Sequence, residues 1–187
     1  MVVSDMILAR DLRKKENLLA IENKAGYYKW WAGASEFEII LKELNVDLET
    51  IKSSVEIKDD LFCIYVGIAA KESVRDRLNW HVNDSHTASR VKKGTLSTFR
   101  QSISSLVAHN QYDKTATDSF IDRLYVEWFY SDNKIKSEAA KIELHDIERQ
   151  LLNRHLMILN IQDNHHPLAV EIKKKLRYLR KLSKEQK

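Results

Sequence analysis

The sequence predicts an α/β protein of the α+β type, built on a small, mostly antiparallel three-stranded sheet flanked by helices. Three aromatic, β-branched runs predict the strands: Ala25–Trp31, Leu61–Gly67 and Leu124–Tyr130. Residues of these types favour a pleated, half-buried surface. Between the runs, apolar residues recur at spacings of three and four, the period of a helix with one buried side. A chain of 187 residues suits one domain with elaborations, spanning residues 1–187, rather than two independent cores.

Taken in order, Ser4 or Asp5 can cap a first helix over about 4–22, with Leu8, Leu12 and Leu19 on its apolar side. The first strand follows at Gly26–Ala32. Residues 33–60 read as an insertion holding a short helix at Glu36–Leu44 and a weaker one after Asp47. The second strand covers Leu61–Ile68, and Glu72–Val82 reads as a helix with Val74 and Leu78 one turn apart. A polar, basic loop, Asn83–Thr95, leads into a helix carrying Leu96, Phe99, Ile103, Leu106 and Val107, and residues 84–123 as a whole read as a second insertion. After the third strand come a long helix, Lys134–Arg154, and an extended piece, Met157–Ile161. Pro167 suits the first turn of a closing basic helix over about 167–184, striped by Leu168, Ile172, Leu176 and Leu179.

The composition, 43% hydrophobic, supplies an ordinary globular core. No apolar run approaches the roughly eighteen residues of a membrane span, and the first residues lack a secretory pattern. The single cysteine, Cys63, excludes an internal disulfide and a cysteine-rich zinc site. The expected compartment is therefore cytoplasmic. A net charge of +4 and pI near 9.0 permit a nucleic-acid partner without requiring one. Basic residues gather at Arg90, Lys92 and Lys93 and again along Lys173–Lys184, and the latter reads as a solvated helix face.

Several polar residues stand where chemistry could be done. Two neighbouring antiparallel strands would bring Tyr28 and Tyr65 to one face of the sheet. A phenol serves as a proton acceptor only where cations lower its pKa from about 10. Arg77 and His81, four residues apart, share one side of their helix, and Arg75 projects from the same helix. Arginine offers phosphate a planar, permanently charged fork, and histidine can relay a proton. Glu148 lies on the apolar stripe of the long helix, between Leu144 and Leu151–Leu152. A carboxylate there needs a cation or donors, or must reach solvent at the stripe's margin.

Together these residues resemble the GIY-YIG endonuclease superfamily. Gly26-Tyr27-Tyr28 looks like the first signature and Tyr65-Val66-Gly67 like the second, which leads into a helix bearing Arg77 and His81. Ile147–Leu152 resembles the helix with the metal-binding glutamate, and Asn160, twelve residues beyond Glu148, falls where the family often has an asparagine. Two departures stand out. The signatures are usually joined by a short hairpin, whereas residues 32–60 intervene here, and a longer loop before Arg77 keeps Arg75 in play.

The resemblance implies hydrolysis of a DNA phosphodiester with one divalent ion, Mg²⁺ or Mn²⁺, anchored by Glu148. It further implies that Arg77 neutralises the phosphate, that Tyr28 or Tyr65 activates the attacking water, and that His81 accepts the phenolic proton. Asn160 would orient phosphate or stabilise the site. Arg90, Lys92, Lys93 and Arg100, with Gln101, are the expected DNA contacts beyond the site. His86 belongs to the same basic loop, and His165-His166 could meet phosphate at the start of the closing helix. No membrane partner is expected. Cutting both strands calls for two sites, as in a homodimer, or for sequential nicking. The alternative is a noncatalytic DNA-binding module that retains the fold.

Overall fold

The computed structural model describes residues 6–186. Among these, five strands are formed: β1 (Ile7–Leu8), β2 (Gly26–Ala32), β3 (Ile57–Lys58), β4 (Leu61–Ala69) and β5 (Tyr125–Tyr130). They make one sheet in the order β1-β5-β2-β4-β3, with every neighbouring pair antiparallel. The three expected strands form its centre, and the two additional ones are two-residue edge strands. The helices are α1 (Lys15–Ala20), α2 (Ala34–Leu44), α3 (Leu48–Ile51), α4 (Val74–Asn83), α5 (Ala88–Lys93), α6 (Thr98–Val107), α7 (Lys114–Ile121), α8 (Glu138–Arg154) and α9 (Ala169–Glu185).

Several expectations are corrected. In place of one N-terminal helix there are β1, a 3-10 turn at Ala9–Arg13 and α1. Ile7 and Leu8 pair with Val126 and Tyr125, so tertiary pairing overrides the helical pattern, and Leu19 is exposed. The proposed caps Ser4 and Asp5 lie outside the described residues. Asn83–Thr95 contains α5, capped by the Thr87 side chain and ended by Gly94 in the left-handed region. The second insertion also holds α7, which Asp113 caps. Met157–Ile161 forms no strand, although Leu159 donates a 3.0 Å hydrogen bond to the Ile64 carbonyl.

The insertion after β2 leaves the central pairing intact. It ends in a two-residue hairpin, Asp59 and Asp60, both left-handed, which turns β3 back into β4. β4 then runs against β2 from Ala32–Phe62 to Gly26–Ala69, with one irregularity. Trp30 faces Tyr65 while Trp31 faces Cys63, so Ile64 is an extra residue on β4. Gly26 is needed where it stands, since a Cβ there would lie 2.1 Å from the Phe129 carbonyl oxygen.

Both faces of the sheet are covered. On one, Tyr28, Trp30, Ile64 and Tyr65 pack under Leu78 and Val82 of α4, Phe99 and Ile103 of α6 and Leu176 of α9. On the other, Trp31, Cys63 and Val66 meet Leu152 of α8 and Met157. Each such side chain contributes about 1.5–3 kcal/mol on burial. No helix among the described residues is long and apolar enough to cross a membrane.

Candidate active site

Strand register explains how the two tyrosines meet. Tyr28 lies opposite Gly67 and Trp30 opposite Tyr65, so Tyr28 and Tyr65 are diagonal neighbours on one face. Gly67 is what permits this. A Cβ at that position would stand 2.3 Å from the Tyr28 hydroxyl, so the phenol lies directly over the glycine. Helix α4 starts at a capping box in which Ser73 and Asp76 satisfy each other's backbone N–H groups. One turn apart on that helix, Arg77 and His81 face the tyrosines.

A cleft of about 400 Å³ gathers Tyr28, Tyr65, Arg77, His81, Glu148 and Asn160. It lies beside the stretch of β4 that β3 leaves unpaired. Tyr28 Oη and His81 Nε2 are 2.6 Å apart. Burial, with Arg77 and Arg100 nearby, holds His81 well below the usual imidazole range, so the ring is neutral. Burial pushes the Tyr28 phenol well above its ordinary value and Tyr65 up to about 12, although Arg77 opposes both shifts. The protein's own groups therefore keep both phenols protonated.

The Arg77 guanidinium is bonded to Glu72 at 2.8 Å and stacks 5.0 Å over the Trp80 ring. Its buried Nε has no protein partner, and the residue lines the cleft. Arg75 turns the other way and donates to the carbonyls of Ile21, at 2.6 Å, and Leu19. Its fork is thus spent on holding the end of α1, and Arg77 is the arginine of the cleft.

Glu148 has a side chain only 17% exposed, and its nearest basic group, His145 Nδ1, is 3.9 Å away. Burial and the neighbouring Asp163 push its carboxyl up to about 7, against the pull of Arg77. A buried oxygen donor without a bonded cation fits a hard divalent ion. Mg²⁺ typically takes one or two carboxylates and completes its shell with water and phosphate oxygens. No cluster of three or more His, Cys, Asp or Glu side chains placed for a metal occurs among the described residues.

Asn160 does something more definite than its position in the sequence suggests. Its Oδ1 accepts from Val66 N–H at 3.0 Å and its Nδ2 donates to Val66 C=O at 2.8 Å. The amide thus replaces a missing neighbour strand and fixes β4 between Tyr65 and Gly67. Asp163, Lys71, Lys141 and His145 also line the cleft. Sequence reasoning missed them; for Asp163 the available signal was its place three residues after Asn160.

The expected DNA contacts divide. Lys92 and Lys93 are exposed on α5, and Arg90 is half-buried in an ion pair with Asp84. Arg100 and Gln101 contradict the expectation of exposure, for both are buried. Arg100 donates to His86 Nε2 (2.9 Å), to the carbonyls of His81 (2.8 Å) and Val82 (3.2 Å), and to Asp118. Arg100 therefore braces the end of α4 and is removed from the list of nucleic-acid contacts. His86 is likewise buried, and burial beside Arg100 pulls it down to about 4, so it adds no positive charge to that loop. His166 accepts from Leu168 N–H at the entry to α9, and His165 is exposed outside the cleft.

Comparison with curated proteins and with solved structures finds no match. A family model, the GIY-YIG catalytic domain, matches residues 26–182, which hold both tyrosine strands, α4, α8 and most of α9. That match covers most of the chain and carries nuclease activity in general with it. The chain belongs to the GIY-YIG family.

Proposed function

We propose that this protein is a metal-dependent endonuclease that hydrolyses DNA phosphodiester bonds. The observation that carries the reading is the convergence in one cleft of Tyr28 hydrogen-bonded to His81, an arginine with an unpartnered Nε, and a carboxylate without a cation. In this reading the scissile phosphate enters beside Arg77, whose guanidinium neutralises charge that grows as the attacking oxygen bonds to phosphorus. Tyr28 is the group that takes the proton of the attacking water. Because burial keeps its phenol protonated, the transfer is a relay. Tyr28 passes its own proton to His81 Nε2, 2.6 Å away, as it receives one from water.

His81, held neutral, has one unprotonated ring nitrogen, and the relay requires the tautomer in which that nitrogen is Nε2. Tyr65 assists through its hydroxyl on the same face, and Asn160 keeps β4, and with it Tyr65, in place. Glu148 would hold the divalent ion, Mg²⁺ or Mn²⁺, which when bound would supply stabilisation of the charge that develops on the leaving 3′-oxygen. Lys92 and Lys93 would hold the duplex outside the cleft.

The test is to incubate purified protein with supercoiled, linear and branched DNA in Mg²⁺, Mn²⁺ or EDTA. The expected result is cleavage with either ion and none with EDTA. Binding without cleavage across all three substrates would instead favour a noncatalytic DNA-binding module.

A further inference from the structure

A second feature lies next to the cleft. Arg177, Arg180, Lys181 and Lys184 occur at the i, i+3, i+4, i+7 positions of α9 and so form one row along the helix. With Gln101 and Ile161 they line a groove of about 370 Å³. Ile161 also lines the catalytic cleft, so the two depressions share a wall. Within the row Arg180 lies near Tyr65 of the cleft. At the C-terminal end of the row Lys184 lies against Gly94, where α5 with Lys92 and Lys93 terminates.

This row differs from an ordinary solvated face in what neutralises it. Among the described residues, none of the four basic side chains has a carboxylate within ion-pairing distance, whereas Lys174 on the same helix pairs with Glu171 at 3.8 Å. Arg180 is set into the groove wall and bonds only the Gln101 amide oxygen there. That amide is itself fixed, because its Nε2 donates to the carbonyls of Leu96 (2.6 Å) and Gly94 (3.2 Å). Burial draws Arg180 down to about 10, which leaves it fully charged at neutral pH. A fixed cation with only a neutral partner is suited to an anion arriving from solvent.

We propose that this groove binds the sugar-phosphate backbone of the nucleic-acid substrate, with Arg180 as its anchor, and carries the strand between the cleft and the basic surface of α5. Seven residues of helix rise about 10 Å, a length on the order of two to three phosphates along one strand. The contacts would be to phosphates and therefore independent of sequence. The proposal rests on nucleic acid being the substrate of the cleft.

The test measures binding of a short labelled duplex by the Glu148→Gln protein, across a series of salt concentrations, so that no cleavage intervenes. Reversing two groove charges, Lys181→Glu with Lys184→Glu, should weaken binding at least tenfold and reduce the slope of log K against log salt by about 2. Arg180→Gln should reduce the slope by about 1. A control with the same change in net charge, Lys42→Glu with Lys52→Glu, should leave the slope unchanged. Equal effects of groove and control pairs, or an unmoved slope in the groove variants, overturns the proposal. So does the absence of measurable duplex binding at low salt. A wild-type protein that never cleaves, yet shows the slope changes, would remove the nuclease reading and leave the groove standing. A protein that cleaves with an unmoved slope does the reverse.

Discussion

Two arginine-histidine centres lie a few residues apart along this chain, and they are wired in opposite ways. Around Arg100, every charge has a protein partner. Asp118 and the carbonyls of His81 and Val82 take the guanidinium, and His86 accepts from its Nε while its other ring nitrogen bonds the Gln111 carbonyl at 2.7 Å. Arg13 also pairs with Asp118, at 3.2 Å. Single atoms of Arg13, Asp84 and Gln111 there, like Arg77 Nε and His81 Nδ1, make no hydrogen bond, but around Arg77 a whole carboxylate, Glu148, is left without a bonded cation. Burial alone does not mark a functional group. A buried charge left open toward a cleft does, because the fold bears its cost and gains no internal bond from it.

The sharpest way to break this comparison is to remove the two arginines in turn. Arg100→Met takes the donor from the His81 carbonyl and the His86 ring, and one of two or more partners from Asp118 and the Val82 carbonyl, which Arg13 also holds; it should cost about 3–5 kcal/mol in urea unfolding. Arg77→Met loses the partly exposed pair with Glu72 and the stacking on Trp80, so its stability cost should stay within about 1–2 kcal/mol. Cleavage by Arg77→Met should nonetheless fall about 10²- to 10³-fold. If Arg77→Met proves as destabilising as Arg100→Met, the distinction between the two centres collapses.

Glu148 tests the same idea through pH. Its folded-state pKa of about 7 lies above the roughly 4.3 of a free glutamate, so between those values the folded chain binds the extra proton. Wild-type stability should therefore decline as pH rises through that window. Metal-free Glu148→Gln should be the more stable protein near pH 8, by on the order of 1–3 kcal/mol, and the gap should close near pH 4. Thermal melts at both pH values decide it. Added Mg²⁺ should raise the wild-type midpoint at pH 8 and leave that of Glu148→Gln unmoved.

Tyr28→Phe removes the relay while keeping the ring. Its expected effect is a loss of cleavage of about 10²- to 10⁴-fold with DNA affinity retained. Unaltered cleavage would transfer the proton-accepting role to Tyr65. The smallest effect belongs to the surface. Replacing Lys92 and Lys93 with Ala should change stability within about 0.5 kcal/mol for each lysine, whereas adding Arg90→Ala also strips the buried Asp84 of its ion pair. The combined change should still lower the salt dependence of DNA binding.

What could be read from the sequence follows from range. The central strands were legible because β-branched and aromatic residues cluster locally, and β2 has the bounds expected of it. The helical spacing of Arg77 and His81 was equally local. Arg100 was misread because periodicity locates a helix's apolar side and is silent about whether the polar side is covered as well. Residues Phe99–Leu106 of α6 are all buried, its serines being small enough to admit neighbours on every side. The carboxylate that covers Arg100, Asp118, lies in a helix the pattern did not reveal. The basic row of α9 reads as solvent-facing for the same reason, since Gln101 and Ile161 meet it only in the folded chain. The edge-locking bonds of Asn160 span 94 residues and leave no local trace.

The central claim is that the uncompensated carboxylate of α8 is the metal-holding group of a DNA-cleaving site. The direct measurement compares nicking of supercoiled plasmid by wild-type protein and Glu148→Gln at equal concentration in Mg²⁺. Circular dichroism and duplex binding are recorded on the same preparations. Loss of nicking in a folded variant that still binds DNA is the expected result. Equal nicking by the two proteins would contradict the claim.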